Sequence, residues 1–180
     1  LEAIIDEAFQ AALGEAEPLE GTTAILVDVS GSMATQVSAK SEISRMDAAA
    51  ALATIVRTED TRVFTFSYRT VEVPARKGIA GIEKIITSQP HGGTELAAAI
   101  DFINKNVPCH RLIVITDEQA QHDSRYGNKL PAPKANLPYM INVASHRNGV
   151  GYGEWIHIDG FSEGVIRYIH NIEQEMKRMK

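Results

Sequence analysis

Short apolar runs alternate along this chain with segments whose apolar residues recur at helical spacing. The runs that predict strands span residues 24–29, 63–68, 112–116, 139–144 and 155–158. The segments that predict helices span residues 45–56, 79–87, 95–105 and 162–179. A continuous apolar run is typical of a strand that is covered on both faces. The alternation therefore predicts an α/β domain with a mostly parallel central sheet flanked by helices on both faces.

Two segments depart from this alternation. Residues 71–73 follow the second strand across a tight turn and precede Pro74, which predicts one short antiparallel edge strand. Residues 117–138 are polar and contain three prolines. A loop of that length in a compact domain is uncommon and often functional.

Residues 1–20 combine a helical apolar pattern with a break at Gly14 and Pro18. We interpret them as a helix and linker from a preceding domain, and residues 21–180 as a single domain large enough for its own core. The chain starts at Leu1, inside that amphipathic pattern, which favours a fragment of a longer protein.

The composition argues against several classes of function. The chain has 18 basic and 23 acidic residues and a net charge of -5, which argues against a domain that holds nucleic acid by charge alone. The single cysteine, Cys109, rules out an internal disulfide and favours a reducing compartment such as the cytoplasm. No signal peptide is visible, and no apolar stretch approaches the roughly 20 residues of a membrane span.

Small oxygen-bearing side chains follow two of the predicted strands and precede one predicted helix. Asp28, Ser30 and Ser32 lie at the end of the first strand, and Asp117 follows a later one. Thr94 follows a pair of glycines at the start of a helix. Because the carboxyl ends of parallel strands meet at one edge of a sheet, we expect these five side chains to converge there. The residues that we place at the periphery of this site are His91, Gly93 and Glu118.

This donor set selects a class of metal. Two carboxylates and three hydroxyls are hard oxygen donors, which suit Mg²⁺ best and also Mn²⁺ or Ca²⁺. Since hydroxyls carry no charge, the cation keeps a strong residual field and can take a protein carboxylate from a partner as its last ligand. Each motif alone is ordinary, because Asp and Ser are common turn residues and Thr94 before a helix is a plausible N-cap. Their conjunction on the expected strand ends predicts the site.

Three motifs in this order, DVSGSM, HGGTEL and IVITDE, resemble those of von Willebrand factor A domains. That family has a Rossmann-like fold and a metal-ion-dependent adhesion site of the form Asp-x-Ser-x-Ser, then Thr, then Asp. The resemblance covers the chain from Ala24 to the end. It assigns the five ligand positions to Asp28, Ser30, Ser32, Thr94 and Asp117. Many members have glycine after the last Asp, where this chain has Glu118.

The flanking sequences resemble a narrower group. LEAIIDEAFQAALGEAEPLEGTTAILVDVSGSM, ITDEQ and IDGFSEGVIRYI are similar to the C-terminal region of the Ro autoantigen group of TROVE proteins, in its bacterial form. In that group the A domain follows a ring of helical repeats that binds misfolded RNA and small Y RNAs. The resemblance implies a metal-bearing interaction module of a Ro-type ribonucleoprotein. Its implied partners are a helical-repeat RNA-binding domain and, through that domain, noncoding RNA.

Two other functions compete with this one. An A domain that partners an AAA+ ATPase, as in metal chelatases, shares the metal motif but normally lacks these flanks. A Mg²⁺-dependent hydrolase of the haloacid-dehalogenase type needs a second Asp two residues after the first, where this chain has Ser30. No P-loop occurs, and His91 and His122 near the site favour hydrogen bonding over catalysis. We therefore expect a binding module without catalytic residues.

Overall fold

The computed structural model describes residues 18–56, 58–118, 124–126, 129–144, 153–162 and 164–179. Its strands are β1 Leu19–Asp28, β2 Thr58–Phe66, β3 Thr70–Val73, β4 Arg111–Thr116, β5 Leu137–Asn142 and β6 Ile156–Asp159. Its helices are α1 Arg45–Ile55, α2 Gly78–Ile86, α3 Leu96–Asn106 and α4 Gly164–Arg178, with short 3-10 turns at Gly31–Ala34 and Ser124–Tyr126. The helix predicted near the start of the chain lies outside the described residues, and the domain boundary at residue 21 stays a prediction.

The six strands form one sheet in the order β3-β2-β1-β4-β5-β6. All neighbours pair in parallel except β2 and β3, which pair antiparallel at the edge. This confirms the predicted fold class, including the short antiparallel edge strand. Strand β1 begins at Leu19, five residues before the apolar run, because its polar first half continues the backbone pairing with β2 from Leu19 opposite Thr58.

Alternate residues of the central strands point to opposite faces of the sheet. On one face, Ile25 and Val27 belong to an apolar core that also contains buried residues of α1 and α4. On the other face, Ala24 and Leu26 belong to a second core that contains buried residues of α3. Residues 24–27 of β1 and 112–115 of β4 are all apolar because both faces of the sheet are covered there.

The first turn of α1 is fixed by a capping box. The Ser44 hydroxyl accepts a hydrogen bond from the backbone N–H of Asp47, and the Asp47 carboxylate accepts one from the backbone N–H of Ser44. The N–H of Arg45, the first helical residue, donates to the carbonyl of Thr35 at 2.8 Å. The cap therefore fixes where α1 begins and where its arginine enters the interior.

A buried ion pair ties α4 to the sheet. Nε of Arg111 lies 2.6 Å from Oε1 of Glu173, and its Nη2 lies 2.5 Å from Oε2. Nη1 of Arg111 donates to the Thr23 hydroxyl at 2.7 Å, and the Tyr139 hydroxyl donates to Glu173 at 3.0 Å. Burial, reinforced by the charge of Glu173, raises the pKa of Tyr139, so its hydroxyl stays protonated and can donate. The cluster fixes the position of α4 against β1, β4 and β5.

Part of the long polar segment at 117–138 is anchored on α3. The side-chain amide of Asn104 donates to the carbonyl of Ala132 at 2.9 Å and accepts from the N–H of Lys134 at 2.9 Å. These two hydrogen bonds hold the backbone of the residues that lead into β5. Residues 132–134 are therefore held against α3 by side-chain hydrogen bonds.

Candidate metal site

The candidate site lies where the strand order reverses. From β1 the chain proceeds to β2 on one side, and later to β4 on the other, so β1 and β4 are parallel neighbours. A crevice at such a switch point, beyond the carboxyl ends of the strands, is the usual ligand position of an open α/β sheet. Asp28 ends β1, and Asp117 directly follows β4. Both carboxyl groups are buried.

Asp28 is held by two hydrogen bonds. Its Oδ1 accepts from the N–H of Ser30 at 2.9 Å, and its Oδ2 accepts from the hydroxyl of Thr116 at 2.7 Å. Burial raises the pKa of Asp28 to about 6, the charge of Asp117 adds to the rise, and the hydrogen bonds oppose it. The surroundings of Asp28 therefore compensate the negative charge of its ionised form poorly. A bound cation would stabilise that ionised form. Thr116 orients Asp28, a role that the sequence did not assign to it.

The hydroxyl groups of Ser30 and Ser32 lie close to each other. Their hydroxyl oxygens lie 3.3 Å apart; Ser30 is buried and Ser32 is half-buried on the Gly31–Ala34 turn. The N–H of Gly31 donates to the carbonyl of Gly92 at 2.8 Å, which joins this loop to the loop that carries Thr94. The first and second motifs of the predicted site are therefore directly bonded to each other.

Ser67, at the end of β2, orders the second loop. Its hydroxyl accepts from the N–H of Gly92 at 2.8 Å and donates to the carbonyl of Gly93 at 3.1 Å. Thr94 follows and is buried. The alternative reading of Thr94 as an N-cap does not hold: α3 begins one residue later than expected, its N-cap is Glu95, and no side-chain cap bond forms. The Thr94 hydroxyl is thus not used as a cap. Sequence analysis did not identify Ser67.

The peripheral residue His91 has a structural role. Its Nδ1 lies 2.8 Å from the carbonyl oxygen of Val29, the residue after β1. This bond holds the second loop against the first from the other side of the Gly31 contact. One ring nitrogen of His91 is therefore used in a contact with the backbone.

Asp117 has a partner that the sequence did not indicate. Nη1 of Arg45 lies 2.9 Å from Oδ2 of Asp117, and the two side chains are 7% and 0% exposed. The two residues are 72 positions apart, so no local pattern links them. The arginine supplies one buried positive charge to a site with two buried carboxylates.

Glu118 departs from the glycine that many similar domains have at this position. Its backbone φ of 60° lies in the left-handed region, where the backbone of a residue with a side chain is strained and that of glycine is not. Its carboxylate is buried and hydrogen-bonded to Nε2 of His157 on β6. That bond connects the Glu118 side chain to strand β6 and helps to hold the strained backbone of Glu118 in place.

The donor set fits a hard divalent cation. Among the described residues no group of three or more His, Cys, Asp or Glu side chains is arranged to hold a metal. The predicted site does not need such a group of side chains, because three of its five donors are hydroxyls. Two buried carboxylates, a pair of converging serines and a loop bonded to them supply the oxygen chemistry that Mg²⁺ and Mn²⁺ prefer.

Solved structures with the same fold include two bacterial proteins. The crystal structure of the Deinococcus radiodurans RO (RSR) protein matches with a TM-score of 0.62 and 21% identity over 87% of this chain and 34% of that chain. This chain thus spans about a third of the length of that relative. The Ro-like resemblance is confirmed at the level of the fold.

The second structure is an aerotolerance-related membrane protein from Bacteroides fragilis NCTC 9343, carrying multiple mutations to serines. It matches with a TM-score of 0.56 and 16% identity over 87% of this chain and 98% of that chain. In the described part of the present chain, no helix is long and apolar enough to cross a membrane. The likeness is therefore one of fold.

Sequence comparison gives the family. No curated protein matches this chain in sequence. The family model of the von Willebrand factor type A domain matches residues 23–119, which carry all three motifs of the candidate site. That match covers more than half of the chain, and the fold agrees with it. The chain belongs to the von Willebrand factor type A domain family.

Proposed function

We propose that this domain is a binding module that depends on a divalent cation, most favourably Mg²⁺, at the switch point of its sheet. The residues that would hold the cation are Asp28, Ser30, Ser32, Thr94 and Asp117. The observation that carries the proposal is the pair of buried carboxylates at the ends of neighbouring strands, with the serine hydroxyls beside Asp28. When bound, the cation would supply an electrophilic position for an acidic oxygen of a partner.

The same geometry supports a binding role over hydrolysis. Ser30, two residues after Asp28, hydrogen-bonds to Asp28 through its N–H and lies beside Ser32. A serine there has no carboxyl to serve as an acid or base at neutral pH. His91 is bonded to a backbone carbonyl. The side chains of this site would thus hold and present a cation, and the domain is proposed to have no catalytic activity.

Manganese offers a direct way to locate the cation. Crystals of the chain grown with MnCl₂ are expected to show an anomalous difference peak within about 2.0–2.3 Å of oxygens of Asp28, Ser30 and Ser32. Crystals of Asp28→Asn grown in the same way serve as the control and are expected to lack it. A peak elsewhere, or none at the end of β1 in crystals that hold Mn²⁺, would contradict the proposal.

We further propose that the natural protein works in a Ro-type ribonucleoprotein in the cytoplasm, with this domain as its metal-bearing module. The support is the fold likeness to the Deinococcus RO (RSR) protein, together with the Ro-like sequence around the motifs. The net charge of -5 fits a domain that leaves RNA contacts to a helical-repeat partner domain.

RNA association can be measured on the natural full-length protein. Affinity-tagged protein purified from its own cells is expected to enrich small noncoding RNA and misfolded RNA relative to an unrelated tagged protein. Sequencing of the bound RNA provides the readout. If RNA is not enriched, the ribonucleoprotein proposal fails, and enrichment of an AAA+ ATPase instead would favour the alternative function.

A further inference from the structure

We propose that the Arg45 guanidinium is a built-in competitor of the divalent cation at Asp117, so that metal occupancy displaces the Arg45–Asp117 ion pair. This inference rests on the proposed metal site and adds to it a second, internal cation. The domain would then alternate between a metal-free state, in which Arg45 is paired with Asp117, and a metal-bound state, in which Arg45 has left Asp117.

The first argument is position. Nη1 of Arg45 lies 2.9 Å from Oδ2 of Asp117, and both side chains are buried. Asp117 is also one of the two carboxylates of the proposed metal site. Two cations at one buried carboxylate repel each other strongly, because the interior screens charge far less than water does. The backbone of Arg45 is bonded to Thr35, directly after the turn that carries Ser32, so the arginine enters from beside the serine loop.

The second argument is the balance of charge. Asp28 and Asp117 are both buried and together match the charge of one divalent cation. Arg45 in the same place leaves an excess positive charge when the metal is bound. Glu118, the other buried carboxyl next to the site, is hydrogen-bonded to His157 on β6. Counting Asp28, Asp117 and the cations beside them, the site is neutral with the metal alone and carries one excess positive charge with the metal and Arg45 together, which favours departure of Arg45 when the metal binds.

The third argument is a contrast between two buried arginines. Arg111 uses Nε, Nη1 and Nη2 in hydrogen bonds to fixed partners, as a structural arginine does. Arg45 has a buried Nε that bonds to none of the described residues. Leaving such a donor unsatisfied is costly, so Arg45 is held less firmly than Arg111. An incompletely bonded cation at the site is one that another cation can displace.

Calorimetric titration of Mg²⁺ tests this inference on three proteins: wild type, Arg45→Gln and Arg62→Gln. Arg62 belongs to an exposed ion pair with Glu72 and is the matched control. We expect Arg45→Gln to bind Mg²⁺ about tenfold more tightly or better, since a competing charge is gone, and Arg62→Gln to bind like wild type. Equal or weaker binding by Arg45→Gln overturns the inference alone. Absence of Mg²⁺ binding by all three proteins overturns the proposed metal site as well.

Should Arg45→Gln fail to fold, the wild-type protein still decides the question. Its arginine Nε–H signals can be followed by ¹⁵N nuclear magnetic resonance, with the Arg45 signal assigned from its loss in Arg45→Lys. On saturation with Mg²⁺, we expect the Arg45 signal to shift or disappear while the Arg111 signal stays in place. An Arg45 signal that is unchanged in the Mg²⁺-bound protein overturns the inference.

Discussion

Replacing Glu173 by alanine is expected to lower the free energy of unfolding by about 3–5 kcal/mol, the usual cost of removing one partner of a buried ion pair. The Arg111 side chain is 1% exposed and Glu173 is 9% exposed. Glu173 accepts two bonds from the guanidinium and one from the Tyr139 hydroxyl. Without it, a buried positive charge remains between β1, β4 and α4 and has lost the carboxylate that accepts two of its hydrogen bonds. The loss also removes one of the contacts that hold α4 against the sheet, beside its apolar residues in the core.

Urea unfolding of wild type and three variants measures this effect. Glu175→Ala makes the same change two positions along α4, where the partner is the exposed Arg178. Its expected cost is below about 1 kcal/mol, because solvent screens exposed ion pairs. Tyr139→Phe removes only one hydrogen bond to Glu173 and is expected to cost about 1–2 kcal/mol. If Glu173→Ala were no more destabilised than Glu175→Ala, the structural role of the pair would be refuted.

The layout of the sheet could be predicted because burial on both faces leaves a direct mark on the sequence. Strand β4, Arg111–Thr116, is buried throughout and was found within one residue. The start of β1 could not be found in this way, since its first residues are polar and are held by pairing with β2. Whether Thr94 caps the helix could not be decided from the sequence, because a hydroxyl before a helix looks the same whether or not it bonds to the helix.

The long-range ion pairs could not be predicted from the sequence. Arg111 and Glu173 are 62 residues apart, and Arg45 and Asp117 are 72 apart. In a sequence, each of these charges has the same appearance as one on the surface. Only the parallel arrangement of β1 and β4, with α1 and α4 on one face, brings the partners together.

The convergence of the three motifs was more predictable than these pairs. The motifs lie at strand ends, and the topology of a parallel sheet brings such ends to one edge. The structure joins the first two motifs by the Gly31–Gly92 bond and the first and third by the Thr116–Asp28 bond. The supporting residues Ser67 and Arg45 escaped prediction because they lie outside the motifs, and Thr116 lies within the third motif but its bond to Asp28 leaves no mark in the sequence.

The second large effect is expected at Asp28. Its carboxylate is completely buried, is fixed by Ser30 and Thr116, and belongs to the proposed donor set. Loss of an outer-shell partner of a metal site typically reduces metal affinity by about 10- to 100-fold, so loss of a direct ligand is expected to reduce it by about 100-fold or more. Asp28→Ala should therefore abolish Mg²⁺ binding at millimolar concentrations while the sheet remains folded.

Calorimetric titration of Mg²⁺ and Mn²⁺ into wild type, Asp28→Ala and Asp60→Ala is the measurement that tests the metal site most directly. Asp60 is an exposed aspartate on β2 and controls for the loss of one negative charge. Circular dichroism spectra confirm that each protein is folded before it is titrated. The proposed site predicts one binding event in wild type and Asp60→Ala and none in Asp28→Ala. Equal binding by wild type and Asp28→Ala, or no binding by wild type, would contradict it.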